Sequence, residues 1–457
     1  MSARTVMALL GHQPTKQRVA ALKRIIPLAT VQRILTQSGH AARCCPVLPF
    51  WLVVWLVIGL GLFAPDSYRI IFKHLQPFLP GCTPGSNTIA AARLALGLLP
   101  LRLLARAVVK LLCTRDTPGA FYDGLRLMAI DGFVLDLPDT PANGRAFGRP
   151  GSGRAPGAFP QARVLALCEV GSHTFWRWLV KPCRRGEAGM AAYLLARLEP
   201  DMLVLWDRNF LSLANVTQVL ARQAHLLGRI KKGQLAEATE VLADGTYLAK
   251  MYRNSHDRKG DKGGVVVRVI EYTLTDPGRP GKGQVHRLVT TLLDAEAHPA
   301  EGLVGLYHER WEEELSIDEL KTHQKQRPTL RSKTPLGVVQ EIEGLMLAHY
   351  CVRAVMYEAA AERGLAPRRL SFTGALKILR MRMAEAPKGR RALEGWWERL
   401  LAEVGEEQLP PRRDRINPRV IKKKMSPWPK KRPQHLNPPR PSTPFQESIR
   451  IHEHIPL

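Results

Sequence analysis

Acidic residues are short in this chain relative to basic ones. Against 67 lysines and arginines it sets 40 aspartates and glutamates, a formal net charge of +27 with a pI near 10.2. Such an excess repels itself unless a polyanion offsets it, which points first to nucleic acid and second to an anionic membrane surface. Cysteine is scarce and scattered: Cys44, Cys45, Cys82, Cys113, Cys168, Cys183 and Cys351. The number is odd, and neither a Cys-x2-Cys pair nor a Cys/His cluster at zinc spacing occurs. That excludes a disulfide framework and a zinc finger, and fits a reduced, cytosolic protein. His452 and His454, near the C-terminus, read as an incidental pair rather than a metal site. No apolar signal-peptide core follows the first residues. The Gly-rich stretch from Gly151 to Gly157 has neither dinucleotide nor Walker spacing, which leaves a basic connection able to touch DNA phosphates.

Long apolar runs are also few. One stands out, the 19 uncharged residues from Pro46 to Ala64. Pro46 and Pro49 leave about 15 usable residues, marginal for a bilayer of about 30 Å. A buried core helix is the first reading, and a membrane anchor stays open as the second. With 457 residues and 45% hydrophobic content, the chain can bury a large core in two or three domains.

Up to about residue 120 the pattern is helical throughout. Ile25, Ile26, Leu28, Val31 and Ile34 recur at helical spacing, and further helices are expected near Asn87–Leu98 and Leu101–Cys113. From Leu125 the period changes. Strands are expected over Leu125–Leu137, Arg163–Val170 and Thr174–Val180, then a helix over Glu187–Leu198. A strand ending at Trp206, a helix over Leu213–Arg222 and a strand over His225–Lys231 follow. Residues 233–295 are again β-rich, over Thr246–Arg253, Gly264–Thr275 and Val285–Leu293. Helices return over Gly337–Ala361 and Gly374–Ala384. Between Pro411 and Arg440 stand eleven Lys/Arg and one Asp among many prolines. This stretch reads as an extended arm on DNA or as a solvated tail.

Acidic residues become informative where they are costly. Asp131 lies inside an apolar strand, where a carboxylate needs a partner or a metal, or else marks a strand end meeting a turn. Asp207 follows the apolar run Met202–Trp206, where α/β sheets place their ligands, or else it caps the next helix. Tyr307, Arg310, Glu314 and Lys321 fall within roughly 40° of one stripe if the segment is one α-helix. A carboxylate flanked by two cations and a phenol suits a metal ion beside a phosphodiester. A solvated charged face is the plainer alternative.

The spacing Tyr-x2-Arg-x3-Glu-x6-Lys resembles the signature of the insertion-sequence-4 family of DDE transposases. The run from Asp131 to Asn143 is similar to the family's first catalytic block, with Phe133 in place of a small hydroxylated residue. Asp207-Arg-Asn-Phe210 resembles the second block, and Phe63–Tyr68 and Ala92–Leu98 more loosely resemble the N-terminal domain. The resemblance implies an α/β fold whose RNase H-like catalytic core spans 121–232 and 296–400, the latter including C-terminal helices. A β-rich insertion domain at 233–295 interrupts it. An all-α DNA-binding domain at 1–120 precedes it, and a basic Pro-rich tail at 401–457 follows. It further implies that Asp131, Asp207 and Glu314 are catalytic and hold two Mg²⁺ ions, with Mn²⁺ able to substitute. Tyr307, Arg310 and Lys321 would bind DNA. The implied partners are terminal inverted repeats and target DNA, joined by a homodimer in a synaptic complex, in the bacterial cytoplasm at the nucleoid and away from membranes. The implied activity is cut-and-paste transposition by hydrolysis and 3′-OH strand transfer. Some relatives use a tryptophan of the insertion in a hairpin step. This insertion has none, leaving Tyr247 or Tyr252 as substitutes. A non-catalytic DNA-binding derivative and a membrane-anchored basic protein are the competing classes.

Overall fold

The structure is a computed structural model that describes residues 20–40, 48–75, 83–152, 155–230, 237–278, 282–308, 310–387, 389–410, 433 and 441–452. The described residues form thirteen strands. In chain order these are β1 (Phe121–Tyr122), β2 (Leu125–Asp136), β3 (Gly151–Ser152), β4 (Ala155–Pro156), β5 (Gln161–Glu169), β6 (Thr174–Pro182) and β7 (Met202–Trp206). Then come β8 (His225–Arg229), β9 (Ala238–Val241), β10 (Tyr247–Met251), β11 (Val265–Leu274), β12 (His286–Thr290) and β13 (Ile449–Ile451). The chain divides into two compact units. The first comprises Met1–Asp123, Ile130–Met190 and Glu312–Leu409, and the second Gly124–Ala129, Ala191–Trp311 and Pro410–Leu457.

In the first unit the strand order is β6–β5–β2, with β5 and β6 antiparallel. The 27-residue helix Pro335–Ala361 lies over this sheet. Phe133 and Leu135 alternate along β2, Leu137 follows just past its end, and all three face Val164, Ala166, Leu320, Val338 and Ile342. The apolar run flagged for membrane length is the helix Phe50–Leu62, with every residue but Trp51 buried. Its Gly61 and Gly344 of Pro335–Ala361 allow the two backbones to touch, because a Cβ on either would overlap the opposite main chain. The run is therefore a core helix. Among the described residues no single helix is long and apolar enough to cross a membrane. The bent pair Ser86–Leu96 and Leu99–Val108 passes by length and composition only. It carries the buried Arg93, which donates to the Tyr68 hydroxyl (2.8 Å) and the Gly337 carbonyl (2.9 Å). The helix Arg390–Glu406 runs past the boundary at 400 expected between the C-terminal helices and the tail, and it buries Trp396, Trp397, Leu400, Leu401 and Val404.

In the second unit the order is β2–β7–β8–β12–β11–β10–β9. β7 and β8 are parallel, whereas β8–β12, β12–β11, β11–β10 and β10–β9 are antiparallel. The strands of 233–295 thus extend the sheet from its β8 edge. β13 adds to β11, so the end of the chain folds back. Asp276 fixes this return by accepting the Ser442 and Thr443 N–H groups, each at 3.0 Å. The cationic arm expected between 411 and 440 lies outside the described residues, apart from 433. Counting β2, β5, β6, β7 and β8 as strands 1 to 5, one unit carries the order 3-2-1 and the other 1-4-5. This is an α/β, RNase H-like architecture with a helical N-terminal region.

Candidate active site

Asp207 stands at the carboxyl end of β7, whose five residues are all buried. Parallel pairing sets Trp206 opposite Gly228, and a Cβ at Gly228 would overlap the Trp206 indole. Glycine there leaves the room beside β8 that the indole occupies. The Asp207 carboxylate accepts the Arg208 N–H at 2.7 Å. It does not cap the next helix: Ser212 does, accepting from Asn215 N–H at 3.3 Å. The helix-cap alternative for Asp207 is thereby corrected.

Tyr307 reaches this strand end from the helix Ala300–His308. It is 6% exposed, and its hydroxyl donates to the Trp206 carbonyl at 3.3 Å. Burial pushes the phenol up to about 12 against the opposing pull of the Arg310 and Arg229 charges. Arg310 lies over the Tyr307 ring at 5.9 Å. Asp207, Tyr307, Arg310 and Arg229 thus form one electrostatic neighbourhood within the second unit. Arg229 gave no sequence signal, because an arginine closing an apolar strand carries no spacing. Tyr307, assigned to DNA by the resemblance, is buried, and its hydroxyl touches the backbone next to Asp207 and the Arg310 side chain.

Asp131 lies in the middle of β2, which continues unbroken to Asp136, so the strand-end alternative is corrected. Its carboxylate accepts the Gly132 N–H at 2.7 Å. A Cβ at Gly132 would meet the Glu187 carboxylate at 2.5 Å, so the glycine makes room for the Glu187–Arg163 ion pair. By strand alternation Asp131 shares the face of Phe133, Leu135 and Leu137. The segment bearing Glu314 lies over that face, with Ile317 and Leu320 packed on the Phe133 cluster.

The single helix expected through Tyr307–Lys321 is not what forms. One helix ends at His308, a second spans Trp311–Asp318, and a π-helical turn covers Glu319–Gln324. Glu314 sits half-buried on the second helix and Lys321, also half-buried, in the π turn. A π turn advances less than 100° per residue, so Lys321 does not keep the stripe position relative to Glu314 that one α-helix would give it. Asp131, Glu314 and Lys321 belong to the first unit, and Asp207, Tyr307 and Arg310 to the second. The three carboxylates are hard oxygen donors suited to Mg²⁺. Among the described residues, however, no group of three His, Cys, Asp or Glu side chains is gathered so as to hold a metal ion.

An RNase H-like sheet with one aspartate inside its first strand, one just after its fourth and a glutamate on a later helix is the arrangement that the resemblance to DDE transposases calls for. Residues 122–351 match the transposase DDE domain family, and residues 16–106 match the insertion element 4 transposase N-terminal family. The chain is 32% identical over 411 residues to the transposase InsG for insertion sequence element IS4 of Escherichia coli K12, covering 87% of this chain and 90% of that one. It is 28% identical to InsZ of the same strain, over 41% of this chain and 62% of that one. The chain belongs to the IS4 family of DDE transposases. Among solved structures, the piggyBac transposase in a synaptic complex with hairpin DNA covers 84% of this chain and 85% of its own, at 11% identity. With a TM-score of 0.45, that likeness is too loose to argue from.

Proposed function

We propose that this transposase excises and inserts an insertion sequence by cut-and-paste, using Asp131, Asp207 and Glu314 as one catalytic set. The observation that supports this reading is the position of the two aspartates, one inside the first strand and one immediately after the fourth of the RNase H-like order, with the Tyr/Arg/Glu/Lys signature after them. The three carboxylates would hold two divalent cations, Mg²⁺ or Mn²⁺, whose chemistry is to acidify the attacking hydroxyl and relieve charge on the leaving oxygen. Arg310 offers a planar fork and Lys321 a point charge for phosphate oxygens. Tyr307 contributes by holding the Trp206 carbonyl, and with it the backbone that presents Asp207. The helical region 1–120 and the cationic stretch 411–440 are assigned to DNA by their charge. Synapsis of two element ends by a homodimer completes the proposal, and a cytoplasmic, nucleoid-associated setting goes with it.

The test uses an end-labelled duplex carrying the terminal repeats and their flanks. Cleavage at the repeat ends that requires Mg²⁺ and disappears in Glu314→Ala, with duplex binding retained, is the expected result. Tight binding without cleavage by the unaltered protein, in Mg²⁺ or Mn²⁺, would identify a non-catalytic DNA-binding derivative instead.

A further inference from the structure

The helix that carries Glu314 is fastened by buried charges on its opposite face. Glu312 and Glu319 are seven residues apart, so on two helical turns they lie within roughly 20° of each other, while Glu314 is about 200° from Glu312. One histidine reaches both. His173 Nε2 is 2.9 Å from Glu312 Oε2, and its Nδ1 is 3.0 Å from Glu319 Oε1. Arg353, on the helix Pro335–Ala361, donates to Glu319 through Nε at 3.0 Å and through Nη2, which also lies 2.6 Å from His173 Nδ1. His349, one turn earlier on that helix, faces Glu319 at 3.3 Å, and Arg368 stands 4.0 Å from Glu312. His173, His349 and Arg353 are each no more than 1% exposed.

Two details indicate that this cluster is more than a satisfied core. Carboxylates this deep need partners to stay ionised, and an apolar residue would fill the same space with less demand on geometry. Second, His173 occupies the left-handed region at φ 59°, which costs a non-glycine residue energy and is tolerated where the surroundings fix it. Glu319 also opens the π turn, so its anchor sets where the helix widens and where Lys321 projects. Arg353 and His173 hold the Glu319 carboxyl well below the ordinary range despite the opposing effect of burial. Ser316, between the two glutamates, is buried as well and sits 3.6 Å from the Cys168 sulfur of β5.

We infer that His173, Glu312, Glu319 and Arg353 are positioning residues that orient Glu314 and Lys321 for the reaction. The inference rests on the assignment of Glu314 as a catalytic carboxylate. The acidic helix then divides its carboxylates by face. Glu312 and Glu319 turn inward and hold the helix, and Glu314 turns the other way to act.

Removing one partner would strand a buried charge, so the informative variant is the charge-balanced pair Glu319→Met with Arg353→Met, beside Glu314→Ala and the unaltered protein. Three quantities are read: thermal midpoint, affinity for the terminal-repeat duplex, and Mn²⁺ binding by electron paramagnetic resonance without DNA. Cleavage rate is read alongside. The expected result for the double variant is a midpoint within a few degrees and duplex affinity within about twofold, because no contact to phosphate is removed and paired charges leave together. Cleavage should fall at least about tenfold, and the Mn²⁺ midpoint should rise several-fold, because a carboxylate displaced by about 1 Å no longer serves the site. Cleavage and Mn²⁺ binding both unchanged in the double variant, with Glu314→Ala inactive, would overturn the positioning role alone. Full cleavage by Glu314→Ala would overturn the carboxylate assignment beneath it.

Discussion

The two segments that present Asp207 and Glu314 are held in opposite ways. β7 is buried along its length, Trp206 lies against a glycine and one phenol caps one carbonyl. The Glu314 helix is held by ionic contacts, with His173 reaching Glu312 and Glu319 on either side of Glu314 and Arg353 reaching Glu319. Apolar packing is insensitive to pH. A buried ionic cluster is not, since each member depends on the others for its charge.

The largest effect should come from breaking the ionic side. Arg353→Met alone leaves Glu319 buried without its main partner and should cost about 4 kcal/mol in denaturant unfolding. The Glu319→Met/Arg353→Met pair should recover most of that loss. On the apolar side, Gly228→Val forces a side chain into the Trp206 indole and should cost about 3 kcal/mol, with no recovery from any change of charge. Acid should separate the two regions further. Glu319 is held below the ordinary carboxyl range, and burial lowers His349 to about 4 despite Glu319 beside it. In both cases the folded state binds protons less readily than the unfolded chain, so stability falls as pH falls. The histidine contribution is lost between about pH 6.5 and 4, and the glutamate contribution below that. Urea unfolding at stepped pH would show this, and the Glu319→Met/Arg353→Met variant should flatten the lower part of the curve. Tyr307→Phe removes one hydrogen bond and should cost about 1 kcal/mol while slowing cleavage more than it weakens duplex binding.

The smallest effect concerns the returning end of the chain. N–H groups of Thr443, Gly278 and Ser442 bring Asp276 down to about 2, so its contribution is complete above the ordinary carboxyl range and fades as pH drops toward 2. Asp276→Asn should make the segment 442–452 more sensitive to limited proteolysis at neutral pH, with little change in the global unfolding midpoint.

This contrast also explains what could be read in the sequence. The strands around Asp131 and Asp207 announce themselves through runs such as Met202–Trp206, and the order of strands and helices follows from their periods. The prolines at 46 and 49 favour a core helix over a membrane anchor for the run Pro46–Ala64, and the helix Phe50–Leu62 is buried. The Glu314 segment is where periodicity failed. Nothing in Tyr307–Lys321 signals a turn at Arg310 or a π turn at Glu319, and Glu319 is held by partners far away in the chain, His173 and Arg353. The inward orientation of Tyr307 was hidden for the same reason: a tyrosine in a signature says which residue recurs, not which way it faces. The fold back of β13 was masked by the cationic, proline-rich stretch before it, which drew the whole tail into one reading.

The central proposal is that Asp131, Asp207 and Glu314 serve one reaction. The most direct measurement compares Mg²⁺-dependent cleavage of terminal-repeat duplexes by Asp207→Asn, Glu314→Gln and the double variant, with duplex binding measured in parallel. Residues that act as a unit are not additive, so each single change should lower cleavage about as far as the double, at least about 100-fold, with binding kept. Substantial cleavage by either single variant, or a double variant that multiplies two moderate losses, would contradict the account.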